Sequence, residues 1–503
     1  MQRRGRTAVF LGMVLCGACG SGGGGGSAPP EESMAQKATF DAFDADHLLQ
    51  RTQFGVTGAA RTAIEQIGLP AYVDAMLQPP ALGSSAVETA AAARLVNVTD
   101  PPGYEGKFPS QNDVTEWWLE IMMRTQTPFR ERLALFLHDH FAVSTDVLST
   151  QERHWMVDHI DLLRGQGLGN FRDLVLAIAR DPAMLEWLDG DDSVKGEPNE
   201  NFAREFLELF TVGADNGYTE EDIREASRAF TGYQNKLDGA TNLRYMEFVA
   251  DRKDTFAKVV FGEVLRSTGD TEDDYGVMVD LTFATLDVAS WLAEKLLLEF
   301  VTDTPNAAQI AALARVVRQH DYEMRPILRA LFLSQAFYAA RGSMVRSPVD
   351  FGIGFVRSTG LTVDAATMRS ELAAVAQEPS RPPSVFGWPQ GSEWLSADGM
   401  VERANLARRV IGDRTYQTNN GFVVAMPAGT PDAAAVVDHF AGLLGVTLTT
   451  EERDRLITYL DSRVTSGPTV QADTFDCTNA QDVDERVRGL LYILANHPGC
   501  LAR

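Results

Sequence analysis

The sequence predicts a mainly α protein, a multi-helix globular array with few or no strands and a small helical cap at its C-terminal end. Strand-like alternation is scarce, whereas helical periodicity enriched in Ala, Leu, Glu and Arg dominates. No repeat of about 20–50 residues is visible that would make it a solenoid or propeller. With 503 residues, 45% of them hydrophobic, the chain can bury a large core.

The first 30 residues do not belong to that fold. Arg3, Arg4 and Arg6 form a positive stretch. Ala8 to Leu15 is an apolar run too short for a stable membrane span. Gly17 and Ala18 then precede Cys19, which resembles a bacterial lipoprotein signal whose cleavage leaves a lipidated cysteine. Cys16 stands where such signals usually carry Leu, and a plain secretory signal is the alternative. The following SGGGGGSAPPEES is a flexible tether with no core-forming residue. The expected organisation is a signal over 1–18, a tether over 19–38, a helical domain over 39–412 and a C-terminal segment over 413–503. Such a chain is exported and held at the cell envelope, as an outer-membrane lipoprotein, with the lipid bilayer as its first partner.

Of the four cysteines, two lie in the leader, and Cys477 and Cys500 remain. In an oxidising compartment that pair is expected to form a disulfide stapling the last segment. A net charge of −24 argues against nucleic acid and against electrostatic binding to anionic lipid.

Along the body, His47 to Gly58 begins the fold, and Thr57 is placed to cap the next helix, read over 60–80 up to Pro79–Pro80. Trp117 to Arg124 reads as a core helix. Residues 151–188 read as two helices, 287–301 and 308–338 as strongly helical, and 248–262 as containing extended structure. Ser347–Pro348 begins another helix. Residues 380–395 form a Pro/Gly/Trp loop, and Ala397 to Ile411 returns to helix.

The most charged stretch is a helical hairpin, Asn199–Gly213 followed by Tyr218–Gly232. Phe202, Phe206, Leu209 and Phe210 mark the core face of its first arm. Glu200, Arg204 and Glu208 stack at i, i+4 and i+8. Glu205 lies nearer the apolar stripe. Thr219 with Asp222 approximates a capping box on the second arm, whose charged stripe is Glu220, Arg224 and Arg228. The plain reading is a salt-bridge network fixing two antiparallel helices. The sharper one makes Glu200 and Glu205 acid–base groups or ligands of a divalent metal.

Histidines are the other candidate ligands. His138 and His140 sit in RERLALFLHDHFAVS, Arg130–Ser144. On a helix, positions i and i+2 point about 200° apart, so the pair chelates one ion only at a frayed end or in an extended segment. His154 and His159 are also poorly spaced. Trp388 and Trp394 would suit a sugar-stacking platform or, more plainly, plug their loop against the core.

Seven motifs occur in one order: HLLQRTQFG, RERLALFLHDHFAVS, NENFAREFLELFTVG, YTEEDIREASRAFTGY, WLAEKLLLEFV, RSPVDFGIGFVRSTG and RPPSVFGWPQGSEWL. From about His47 to Arg409 the chain resembles the bacterial domain-of-unknown-function family 1800. The resemblance implies export, and a neighbouring exported partner from family 1501, an alkaline-phosphatase-like or sulfatase-like group. It implies no established activity. Its motifs carry over to His138 and His140, to Asn199, Glu200, Asn201, Arg204, Glu205 and Glu208, to Thr231 and Gly232, and to Gly387, Trp388 and Trp394. Two positions depart from it: Leu137 replaces a usual Trp, and Lys253 a usual His.

Three functions compete. The first is a non-enzymatic, lipid-tethered helical protein acting with another exported protein. The second is an exported metal-dependent hydrolase with His138, His140, Glu200, Glu205 and Arg204 around one cleft. No H-E-x-x-H or G-x-S-x-G stretch supports it. The third is a surface carbohydrate binder.

Overall fold

A computed structural model describes residues 34–96, 107–267, 269, 271–412, 423–464 and 470–503. The leader, Cys16, Cys19 and most of the tether lie outside the described residues. As the sequence predicts, the protein is mainly helical. Among the described residues, strands form only three two-stranded antiparallel hairpins. Two of them, Tyr233–Leu237 with Arg244–Phe248 and Lys258–Val260 with Glu263–Leu265, supply the extended structure read around 248–262. No single described helix is long and apolar enough to cross a membrane.

Local signals set most helix starts. The Thr57 hydroxyl accepts from the Ala60 amide and begins Gly58–Ile67. Ser347 caps Pro348–Thr359, where Pro at the first turn gives up no needed donor. Thr219 and Asp222 complete a reciprocal capping box on Glu220–Ala229. Three helical runs are more broken than the periodicity implies. Gly68, at φ 81°, divides the 60–80 run into Gly58–Ile67 and Leu69–Met76. Asp181–Pro182 breaks the 171–188 run, because Pro disfavours helix in the residue before it. Turns break 308–338 into Ala307–Gln319, Met324–Phe332 and Gln335–Ala339.

Two helices run through the middle of the body and position everything discussed below. In Pro128–His140 every residue from Pro128 to His138 is buried. In Pro348–Thr359 all but Arg357 are buried. A helix buried all round is expected to be apolar, yet these carry Arg130, Glu131, Arg132 and Asp350. Each is held by opposite charge. Arg164 Nε donates to Glu131 Oε2 at 2.8 Å and its Nη2 to Glu88 Oε1 at 2.6 Å. Close approach needs glycine in the second helix, since a Cβ on Gly354 would lie 1.8 Å from the Phe54 carbonyl oxygen.

The C-terminal segment packs into the body. Ala433–Leu444 lies on Pro348–Thr359, and Arg488–Ala495 lies on Ala397–Ile411. The expected Cys477–Cys500 disulfide is not formed: both are free thiols. Cys500 is buried beside Arg346 and Arg403, while Cys477 is partly buried against the core. Desolvation raises the Cys500 thiol above its usual range, so it behaves as an inert core group.

Candidate functional site

The charged hairpin folds as the salt-bridge reading requires. Arg204 Nη2 lies 2.8 Å from Glu220 Oε2 and 3.5 Å from Glu200 Oε2, and its Nη1 lies 3.4 Å from Glu208 Oε1. Glu200 also reaches Arg224 at 3.9 Å. Glu205 is half-buried, its carboxyl raised by burial and by Glu208 and opposed by Arg204. After Glu205 the helix widens into a π-turn over Phe206–Thr211. Arg228 pairs with Glu225 and Asp254 rather than with the first arm. Glu220 and Arg224 are solvent-exposed, Glu200, Arg204 and Glu208 are partly so, and Asp254 is buried.

The histidines do not join those carboxylates. His140 makes a 3.1 Å hydrogen bond from Nε2 to the Phe210 carbonyl, and burial lowers its pKa to about 3. His138 is fully buried among Trp118, His159 and Trp388, with ring centroids 5.5–5.7 Å away. Desolvation keeps it neutral. The reason is the one the spacing gives: the segment stays helical through His140, so the two rings leave on opposite sides. Among the described residues no group of three or more His, Cys, Asp or Glu is placed to hold a metal. The His138, His140, Glu200, Glu205 constellation is therefore not assembled. His138 meets His159, whose Nδ1 lies 3.0 Å from Asp181 Oδ1, a pairing that sequence spacing does not reveal.

Between the two histidines stands Asp139, and here a site is assembled. The Trp388 amide donates to Asp139 Oδ1 at 2.7 Å and Gln390 Nε2 donates to Oδ2 at 2.9 Å. Gly387 allows this wrap. It sits at φ +77°, and a Cβ there would lie 2.2 Å from Asp139 Oδ1 and 2.7 Å from its backbone oxygen. The loop thereby closes over a cavity of about 50 Å³. That is room for a few waters or a group of their size, since one water needs roughly 10–15 Å³.

Charge fills the walls of this cleft. Arg132 comes from the first central helix, Asp350 from the second, and Glu299 from Val288–Phe300, with Asp303 just beyond it. Arg132 Nη2 contacts Glu299 Oε1, and its Nε lies 3.3 Å from Asp350 Oδ1. Arg503 Nη1 donates to Asp350 Oδ2 at 2.6 Å. The carboxyls separate in acidity. Burial pushes Asp139 up to about 6, against the hydrogen bonds from Trp388 and Gln390 and the charges of Lys295 and Arg132. Burial also raises Glu299 and Asp303. Burial acts upward on Asp350 too, but Arg132, Arg503 and Arg346 outweigh it and hold this group below the usual carboxylate range.

Trp388 and Trp394 line the same cleft but are 4% and 7% exposed. Neither offers an open stacking face, and the cavity is too small for a sugar ring, so the platform reading fails and the plug reading stands. Sequence reasoning passed over Asp139, Arg132, Glu299 and Asp350. The available signal was a charge set inside a continuous apolar helix, where an unpaired ion is costly.

The family model described as Protein of unknown function (DUF1800) matches residues 47–500. The chain belongs to the DUF1800 family. The match runs past Arg409 through the C-terminal segment, consistent with the packing of that segment into the body. All the cleft residues named above except Arg503 fall within it. Comparison with curated proteins and with solved structures returns no match for this DUF1800 member.

Proposed function

We propose that this DUF1800 protein is an exported, lipid-anchored component of the cell envelope that works with a second exported protein, and that it meets that partner at the Asp139 cleft. The observation that carries the reading is a set of exposed large apolar side chains on, and just after, the loop that closes the cleft. Phe386, next to Gly387 in the chain, is 75% exposed; Leu395, next to Trp394, is also exposed, as are Met400 and Val401 on the following helix Ala397–Ile411, Val401 at 60%. Exposed large apolar side chains of this kind suit a protein contact. A family 1501 product is the partner that the family resemblance suggests. The leader, with Cys19 as acceptor, supplies the anchor.

The test has two parts. Cys19→Ala should abolish acyl labelling and release the chain from the membrane fraction. Calorimetric titration of purified family 1501 product into the purified chain should give a saturable complex. Phe386→Ser with Val401→Ser should weaken it at least tenfold, about 1.4 kcal/mol. Heat that does not saturate, or equal affinity in the variant, overturns the reading.

One observation favours acid–base catalysis as a second reading. Within one cleft Asp139 is pushed up to about 6 while Asp350 is held down, and such separated carboxyls are how a single site runs acid and base steps near neutrality. Hydrolase activity lost in Asp139→Asn but kept in Glu200→Gln would support it.

A further inference from the structure

The cleft is balanced in charge and unbalanced in hydrogen bonds. Lys295 and Arg132 act on Asp139, Arg503 and Arg51 on Asp303, and Arg132 and Arg503 on both Glu299 and Asp350. Each lining carboxyl thus answers to at least two cations. The guanidinium groups are engaged in turn, Arg132 by Glu299 and Asp350, and Arg503 by Asp350. The lining calls for neither a further cation nor a further anion.

What the lining leaves open is a set of hydrogen-bonding atoms of both kinds. The indole N–H of Trp388, on a side chain 4% exposed, has no hydrogen-bond partner among the described residues. Nor has the Nε–H of buried Arg503, although its Nη1 donates to Asp350 Oδ2 and its Nη2 to the Glu299 carbonyl. On the acceptor side, Glu299 Oε1 and Asp350 Oδ1 touch Arg132 as ion pairs without hydrogen-bond geometry. All four residues border the one cavity of about 50 Å³. Buried polar atoms in native proteins are nearly always satisfied, so open donors and open acceptors around one hollow mark a group that answers both. The donors are held ready for it: the Trp388 backbone is fixed by Asp139, and the Arg503 guanidinium by Asp350 and the Glu299 carbonyl.

We infer that the cleft takes a primary amide group, its carbonyl oxygen accepting from the Trp388 and Arg503 N–H groups and its amino hydrogens donating to Glu299 and Asp350. Three features select it. It is neutral, as a charge-balanced lining requires. It carries an acceptor and donors on adjacent atoms, whereas an ammonium cannot accept, a carboxylate cannot donate, and a ketone or ester offers no hydrogen to the two open carboxylate oxygens. It is small enough, since three heavy atoms take the place of a few waters and keep their hydrogen bonds. Such a group has two sources, an Asn or Gln side chain of the exported partner or a free small amide. The first rests on the reading of the cleft as the partner's docking site, and the second does not.

The experiment uses the full chain in detergent with acetamide as the probe, titrated by NMR against acetate, acetamidinium and acetone, which keep its shape and change its charge or remove its donor. Acetamide should bind saturably, and the other three at least about tenfold more weakly. Trp388→Phe keeps the ring and Arg503→Lys keeps the charge, but each removes one N–H. Each should weaken acetamide binding at least about threefold while unfolding cooperatively like the parent. Either variant decides the point, so misfolding of one leaves the test valid. No saturable binding of acetamide would mean that the hollow holds ordered water only. That result, equal binding of any of the three analogues, or binding unchanged in the variants each overturns the amide site. Addition of the family 1501 product separates the sources. Acetamide displaced by the partner assigns the amide to the partner's side chain, and acetamide retained in the complex assigns it to a free ligand. A partner complex formed by a chain that ignores acetamide refutes the amide site alone, and acetamide binding in a chain that ignores the partner refutes docking alone.

Discussion

The charged hairpin and the Asp139 cleft are built from the same residue types and are energetic opposites. On the hairpin, Arg204 is shared among Glu200, Glu208 and Glu220 in contact with water. Pairs of that kind are worth well under about 1 kcal/mol each. In the cleft, Arg132, Asp350 and Arg503 are almost wholly buried, so each charge stands only because its partner does. A dense run of charge in a sequence therefore points to a solvated face. A single charge inside an apolar helix points to a place where the fold accepts a cost.

The contrast fails first, if it fails, at Arg132. Arg132→Ala leaves Glu299 and the Oδ1 side of Asp350 without their cation and should cost about 3–5 kcal/mol in urea unfolding. A loss under about 1 kcal/mol would place the cleft in the same class as the hairpin. Gly387→Ala comes next. Its φ of +77° and the Asp139 atoms in its path make a loss of at least about 2 kcal/mol the expected result, with the Trp388 loop displaced.

Asp139→Asn should have the opposite sign. The folded carboxyl keeps its proton up to about 6, against 3.8 for the ordinary group, so ionising it in place destabilises the fold. The raised value favours folding below the unfolded pKa, and that advantage is lost as pH rises from 3.8 through about 6. Asparagine avoids the charge and retains an acceptor for the Trp388 amide. The variant should match the parent near pH 4 and exceed it by up to about 3 kcal/mol at pH 8, as chemical denaturation at the two pH values will show. The smallest effect belongs to the hairpin, where Arg204→Ala should change stability by less than about 1 kcal/mol, and less again in high salt.

What the sequence made legible was whatever depends on neighbours along the chain. The caps at Thr57, Thr219 and Ser347 are local hydrogen bonds between a side chain and an amide about three residues on, and they stand where they were read. The hairpin's i, i+4 pairing is local too. The opposed His138 and His140 follow from helix geometry alone. The cleft is not local. Asp139, Glu299, Asp350 and Trp388 come from four parts of the chain separated by tens to hundreds of residues, and no spacing rule joins them. The breaks at Gly68 and Pro182 were visible as residues, but the apolar periodicity on either side of each masked them. Cys477 and Cys500 show the reverse error, since being the only two cysteines left says nothing about whether the fold brings them together.

The most direct measurement is a carbon-13 NMR titration of the Asp139 carboxyl in the purified chain, with Asp139→Asn used for assignment. A midpoint near 6 is the expected result and would establish a carboxylate whose burial outweighs the charges of Lys295 and Arg132 at the cleft. A midpoint at or below 3.8 would mean that Asp139 is solvated or ion-paired, and the contrast between cleft and hairpin would be wrong.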